Sequence, residues 1–186
     1  MNPANPDLDY SYCSSDRRHL VSFSVVARTP EFSKPALQAI LGNWQLSPSV
    51  RYQTGNRSSV TTGVDNALTG LGGQRGVQVV DDPYVTGGDP TAYLNRAAFT
   101  SPVSGTYSTL APFTIVNPPN LQNDFALTRT FKTSGAQNVQ FRWEVFNVIN
   151  HVNFNPPVTS LNSATFGTIQ TAGDPRIMQL ALKFTF

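Results

Sequence analysis

Arg176-Ile-Met-Gln-Leu-Ala-Leu-Lys-Phe-Thr-Phe186 closes the chain with an apolar side chain at every second position and an aromatic last residue. Met178, Leu180, Leu182, Phe184 and Phe186 share one parity. Gln179, Lys183 and Thr185 share the other, with Ile177 and Ala181. Successive side chains of a strand point to opposite faces, so one face of this strand is apolar and the other mostly polar. A soluble edge strand sustains such alternation over about five or six residues. Eleven residues is the length that crosses a bilayer as a tilted β-strand, roughly 9–11 residues. The pattern points to a membrane, not to catalysis.

Four further stretches repeat it. His19 to Ala27 alternates Val21, Phe23 and Val25 against Ser22 and Ser24. Asn43 to Thr54 sets Trp44, Leu46, Val50 and Tyr52 against Gln45, Ser47, Ser49, Arg51 and Gln53. Pro48 falls on the apolar parity and withholds one ladder donor, which predicts a bulge or an edge there. Asn123 to Phe131 sets Phe125, Leu127 and Phe131 against Asp124, Ala126, Thr128 and Thr130, with Arg129 breaking the apolar side. Asn138 to Ile149 sets Val139, Phe141, Trp143 and Val145 against Gln140, Arg142 and Glu144, and its parity shifts at Phe146-Asn147, where a bulge is expected. Charges on a lipid-facing side cost roughly 2–4 kcal/mol near midplane. Arg51, Arg142 and Glu144 lie on polar parity and are candidates to line a wet lumen. Arg129 is tolerable at the interface, where its stem can snorkel. Trp44 and Trp143, on apolar parity, suit lipid-facing or girdle positions better than sugar-stacking platforms.

Composition agrees. Charged residues make up 13% of 186, against roughly 25% in ordinary soluble domains; Asn, Gln, Ser and Thr take their place. A net charge of +2 is too small for a nucleic-acid surface. One cysteine, Cys13, excludes an internal disulfide and a multi-Cys metal site. No run of 18 apolar residues predicts a membrane helix. Met1-Asn-Pro-Ala-Asn-Pro6 has neither a basic nor an apolar leader segment. An outer-membrane protein needs a leader, so the expectation is the tail of a longer precursor.

Connections alternate in length. The first link, Arg28 to Gly42, contains Pro30 and Pro35 and is expected to hold no regular element. Long loops are expected over 55–122 and 150–175, and a tight turn at Lys132-Thr-Ser-Gly-Ala-Gln137. Outer-membrane barrels pair short periplasmic turns with long extracellular loops. With the last strand descending to a periplasmic C-terminus, both shorter links fall inside and both long ones outside. The longest loop is expected to carry local structure, its aromatics packing it onto the barrel rim.

The final strand resembles the C-terminal signature that the barrel-assembly machinery reads, carried by Met178, Leu180, Leu182, Phe184 and Phe186. Several other segments, in order, are similar to the C-terminal part of TonB-dependent, Oar-like outer-membrane receptors (the carboxypeptidase-regulatory-like domain-containing family). They are Asp16-Arg-Arg-His19, Gly42-Asn-Trp-Gln-Leu46, Tyr52-Gln-Thr-Gly55, Tyr93-Leu-Asn-Arg-Ala-Ala-Phe99 and Gly105-Thr-Tyr107. The densest is Gln140-Phe-Arg-Trp-Glu-Val-Phe-Asn-Val-Ile-Asn-His-Val-Asn-Phe154, followed by Thr165-Phe-Gly167 and Asp174 to Phe184. The resemblance implies an N-terminal immunoglobulin-type domain, a plug and a barrel of about 22 strands. This chain carries only the part corresponding to the last strands. Five strands fall short of the smallest single-chain barrel, about eight.

The expected fold class is therefore all-β: residues 1–186 as a C-terminal barrel fragment, with antiparallel strands near 19–27, 43–54, 123–131, 138–149 and 176–186. The resemblance implies outer-membrane substrate binding or uptake by the full-length protein. Expected partners are outer-membrane lipid, the barrel-assembly machinery and the remaining barrel and plug. The TonB complex is reached only through the missing N-terminal part, and no nucleic acid is expected. The rival reading is a secreted β-sandwich that binds carbohydrate or protein. No enzyme, cofactor or metal site is expected. His19 and His151 stand apart, His151 reading as a hydrogen-bonded loop residue. Asp65 and Asp81-Asp82 lack calcium-loop spacing. Gly70-Leu-Gly-Gly-Gln-Arg-Gly76 lacks the Lys-Ser/Thr ending of a phosphate loop.

Overall fold

Each alternating stretch of the sequence lies in one antiparallel sheet of the computed structural model, which describes residues 2, 5–133 and 137–186. The expected all-β antiparallel class is what the structure shows. In chain order the elements are β1 (Leu20–Ser24), β2 (Ala27–Arg28), helix α1 (Pro35–Leu41), β3 (Trp44–Gln53), β4 (Arg57–Ser58), β5 (Val77–Gln78), β6 (Phe99–Thr100), β7 (Ile115–Val116), β8 (Asn120–Lys132), β9 (Asn138–Phe146) and β10 (Ile177–Thr185). Short 3-10 turns sit at Pro6–Asp9 and Arg96–Ala98. The chain divides into two compact units, one of residues 19–53, 120–152 and 174–186, the other of residues 1–18, 54–119 and 153–173.

The first unit is the sheet, in the order β1-β3-β8-β9-β10, with β2 continuing β1 along β3. Its register gathers the apolar stripes onto one face, because paired residues in a sheet share a face. Ala27, Leu46, Leu127, Trp143 and Leu180 form one row across the whole sheet. Trp44, Arg129, Phe141 and Leu182 form another, and Phe131, Val139 and Phe184 the last. The opposite face holds Gln45, Ser47, Ser49, Arg51, Gln122, Asp124, Thr128, Gln140, Arg142, Glu144 and Gln179. Among the described residues of this unit no second layer covers the apolar stripe of β10, which is exposed along its whole length, Leu182 at 75%.

Four details depart from expectation. Pro48 produces no bulge, since Leu20↔Gln53 and Arg28↔Gln45 belong to one continuous register. Val25 N–H donates to Pro48 O at 3.1 Å and Pro48 has no N–H to return. The ladder is therefore nicked over Val25–Val26 on the side facing β1 and β2, and the pairing of Pro48 with Phe125 in β8 is intact. Second, the link before β3 holds helix α1, because Pro35 stands at the first helical position, where its missing N–H costs nothing. Third, β9 ends at Phe146 instead of bulging, since Asn147 turns left-handed at φ 51°. Fourth, β8 starts earlier than its pattern suggests, at Asn120. The turn at Lys132–Gln137 includes Ser134, Gly135 and Ala136, which lie outside the described residues; Thr133 N–H donates to Gln137 O at 3.2 Å.

The second unit is built from the long links and has a core of its own. Val60, Leu94, Ala98, Phe99, Ile115, Leu161 and Phe166 are buried together. Its aromatics pack on one another: Phe99 meets Phe166 edge to face at 5.7 Å, and Tyr84 meets Tyr93 at 5.5 Å. Two-residue ladders β4–β7 and β5–β6 hold the segments together. Tyr93 donates its hydroxyl to Val116 O at 2.9 Å, and burial, then the neighbouring Tyr84, pushes its pKa up to about 12. Gly167, at φ 80°, accepts from the N–H groups of both Tyr93 and Leu94, each at 2.9 Å. A Cβ there would lie 2.2 Å from Leu94 O.

Gly167→Ala is therefore expected to destabilise this unit by more than about 1 kcal/mol, and Ile115→Ala by about 2–5 kcal/mol. Amide hydrogen exchange separates the two. Gly167→Ala should release Tyr93 and Leu94 first, whereas Ile115→Ala should loosen the whole core; unchanged protection of Tyr93 and Leu94 in Gly167→Ala would refute the close approach.

Candidate functional site

The polar face of the sheet is the surface best equipped to meet a polar ligand. β3, β8 and β9 place a polar side chain at most alternate residues, Ala126 and Phe146 being the exceptions, so adjacent strands build a carpet of hydroxyls, amides and charges. A cleft of about 550 Å³ opens on it, lined by Arg28, Glu31, Gln45, Thr128, Gln140 and Arg142 among others. A second cleft of about 260 Å³ is lined by Ser22, Ser24, Ser49, Arg51, Gln122 and Asp124 with Phe23 and Val50.

The structure puts Arg51, Arg142 and Glu144 on this face but not in one place. Arg142 and Glu144, two apart on β9, are joined by Nη2 of Arg142 donating to Oε1 of Glu144, while Gln179 of β10 donates to the other carboxylate oxygen. Arg51 lies in the second cleft, opposite Ser22 and Gln122. Arg28 donates from Nε to Gln45 Oε1 at 3.0 Å. Such a wall can bind hydrated, hydrogen-bonding molecules. Met178, Leu180, Leu182 and Phe184 lie on the opposite, apolar face of β10, and Phe186 beyond its end stacks on Phe184 at 5.9 Å.

Sequence reasoning missed a polar knot where β9 ends. Asn147 N–H donates to Asp124 Oδ1 at 3.0 Å, and its side-chain amide donates to His151 O at 2.9 Å and Asp174 O at 3.3 Å. His151 N–H returns to Asn147 Oδ1 at 2.9 Å, so His151 serves through its backbone. Asn123 Oδ1 accepts from Ile149 N–H at 2.8 Å. Asn150, also left-handed at φ 53°, accepts from Arg176 N–H at 3.0 Å and so leads the chain into β10. The available signal was Phe-Asn-Val-Ile-Asn at 146–150, since Asn is among the few non-glycine residues that adopt φ above zero readily.

The carboxylates of the long links organise turns. Asp65 accepts from Thr69 N–H, Gly70 N–H and Gln74, and Asp82 accepts from Tyr84 N–H. Asp89 Oδ1 accepts from Thr91 N–H at 2.8 Å and its hydroxyl at 2.7 Å. Those two bonds, the backbone one first, hold the Asp89 carboxyl below its ordinary range. Among the described residues no group of three His, Cys, Asp or Glu side chains could hold a metal, and Cys13 is a free, exposed thiol. Among the described residues no helix is long and apolar enough to cross a membrane, which leaves strand crossing untouched.

A family model described as an outer membrane beta barrel domain matches residues 1–179. No curated protein and no solved structure matches the chain.

Two outcomes test this geometry. Asn147→Ala loses three side-chain bonds and must hold a left-handed backbone, at a cost of about 2–4 kcal/mol. Asn147→Gly loses the same bonds without the strain and should be milder; equal damage in both, read by hydrogen exchange at Ile149 and His151, would remove the conformational argument. The Asp89 turn is stabilised above the unfolded carboxyl value near ~3.9, and that stabilisation disappears as pH falls through the lower folded value. The Thr91 amide resonance should therefore titrate with a midpoint below 3.8; a midpoint above it would contradict the assignment.

Proposed function

The chain belongs to the outer membrane beta barrel domain family, and from that premise we propose that it forms part of the wall and outer loops of a TonB-dependent, Oar-like receptor. The sheet is a piece of a barrel of the bacterial outer membrane. In this reading the apolar face meets hydrocarbon and the polar face lines the lumen, with Arg51, Arg142 and Glu144 among its wall residues. Strand direction supports an orientation. The long links all leave the sheet at the end marked by Gln53, Asn120, Phe146 and Ile177, and the short ones at the end marked by Arg28, Trp44, Lys132 and Asn138. Barrels place their long loops outside the cell, so the first end is external and β10 runs down to the periplasm.

The observation that carries the receptor reading is the hydrophobic core within the long links. A pore needs no such unit; a receptor needs preorganised surfaces, because ordering a loop on binding subtracts from affinity. The segment Gln140–Phe154 adds to it, since its residues build both β9 and the Asn147 knot. Substrate binding or uptake is then the work of the whole receptor, and this chain contributes walls and loops, not covalent chemistry. In this reading the remaining strands, the plug and the TonB contact are supplied by the rest of the receptor. Assembly uses the terminal stripe of Met178, Leu180, Leu182, Phe184 and Phe186.

Genomic sequence continuous with this frame should encode a leader, a plug and further alternating strands, and the full-length protein should cross-link to TonB. A self-contained gene yielding a soluble monomer would overturn the proposal. In the full-length protein, deleting Phe186 should lower outer-membrane levels measured by immunoblot of purified membranes; undiminished levels would dismiss the terminal-stripe assignment.

A further inference from the structure

We propose that helix α1 with Trp44, Arg129 and Phe131 forms an interfacial clamp for phospholipid, Arg129 receiving the lipid phosphate. The proposal rests on the outer-membrane placement of the sheet and adds a lipid site to it.

Among the described residues Arg129 is the one charged residue of the paired strands on the apolar face, and its surroundings are specific. Its guanidinium carbon lies 4.9 Å from the Trp44 ring centre and 4.6 Å from that of Phe131. Nη2 donates to Ala39 O in α1, and Trp44 Nε1 donates to Ile40 O at 3.0 Å. The last turn of α1 is thus fastened to the apolar face by two neighbouring side chains, one of them the cation that a helix C-terminus favours. Arg129 Nε is buried and has no partner, and among the described residues no carboxylate pairs with this guanidinium. A guanidinium has five donors, so most of its hydrogen-bonding capacity is unused.

The position matches a headgroup. The Arg129 row lies one row in from the last apolar row, at the end of the sheet that carries the short links. A cation is costly at the bilayer centre and tolerated at the interface, where Trp is enriched. α1 presents Leu37, Ile40 and Leu41, spaced three and four apart and all exposed, Ile40 at 66%. They add exposed apolar surface to a helix whose Ala39 and Ile40 carbonyls are held by Arg129 and Trp44. The occupant that satisfies both an unpaired guanidinium and exposed aliphatics is a lipid with an anionic headgroup: phosphate on Arg129, acyl chain along Ile40 and Leu41. Arg suits phosphate because its planar fork can bond two oxygens at once.

The test uses the full 186-residue chain with vesicles of phosphatidylethanolamine and phosphatidylglycerol. In Trp143→Phe, Trp44 is the remaining tryptophan, and it should be quenched more strongly by a headgroup spin label than by a mid-chain label. Arg129→Gln and Ile40→Asp should each weaken vesicle binding, Arg129→Gln by about fivefold, the worth of one basic residue at an anionic surface. Infrared amide bands should show that both variants keep the sheet. Phosphate-free galactolipid vesicles should abolish the difference between the unsubstituted chain and Arg129→Gln, and excess inorganic phosphate should leave binding unchanged. Stronger mid-chain quenching of Trp44, or equal binding by Arg129→Gln, overturns the clamp. So does competition by inorganic phosphate, which would make this a soluble-anion site, or Arg129-dependent dimerisation without lipid, which would make the occupant a second copy. The converse reporter, Trp44→Phe with Trp143 retained, keeps the two readings apart: mid-chain quenching of Trp143 with a failed clamp leaves the sheet in the membrane, whereas no quenching of either tryptophan removes both.

Discussion

Hydrocarbon offers a backbone amide nothing to bond, and that constraint governs the sheet. Every N–H and C=O within the bilayer must be met by a neighbouring strand, so the chain has to spend its crossing segments in continuous ladders. Between its two edges the register does this while keeping five stripes on one side. A slip of one residue anywhere would turn a whole strand's apolar set toward water. Pro48 shows how tightly the requirement is met. It removes a donor from an interior strand, yet the vacancy faces the short β1–β2 edge, where Val25 still donates to Pro48 O. The pairing with β8 loses nothing.

How much the sequence disclosed depends on whether a residue's surroundings repeat. Strands between two solvents repeat every second residue, so β3, β9 and β10 can be read directly, as can the face of Arg51, Arg142 and Glu144. The meeting of Arg142, Glu144 and Gln179 could not be read, because it requires the β9–β10 register. The start of β8 was hidden because Asn123 sits on the apolar parity. The structure resolves the conflict by engaging its side-chain oxygen with Ile149 N–H. α1 was concealed by a rule applied in the wrong place: proline ends a helix from within but opens one at its first position.

The long links illustrate a different limit. Their core residues, from Val60 to Phe166, are scattered among turn residues over a hundred positions and follow no period. Only tertiary pairing brings Gly167 against Leu94, or Tyr84 and Tyr93 against Val116. Such a core is nonetheless what a chain this long between strands requires, since an unstructured loop of that length would be an exception in an ordered protein. Burial of a few large side chains and many local hydrogen bonds offsets the entropy of fixing the backbone.

Strand direction adds an argument about closure that owes nothing to chain length. In the order β1-β3-β8-β9-β10 every neighbour is antiparallel, so the two edges, β1 and β10, run in the same direction. They cannot join each other in an antiparallel ladder. Two such sheets oriented alike across one membrane cannot join either, because each seam would bring β10 of one against β1 of the other in parallel. An antiparallel cylinder containing this sheet needs an odd number of further strands between its edges. That requirement agrees with the even strand counts of bacterial barrels, and it makes the missing wall a matter of topology as well as of width.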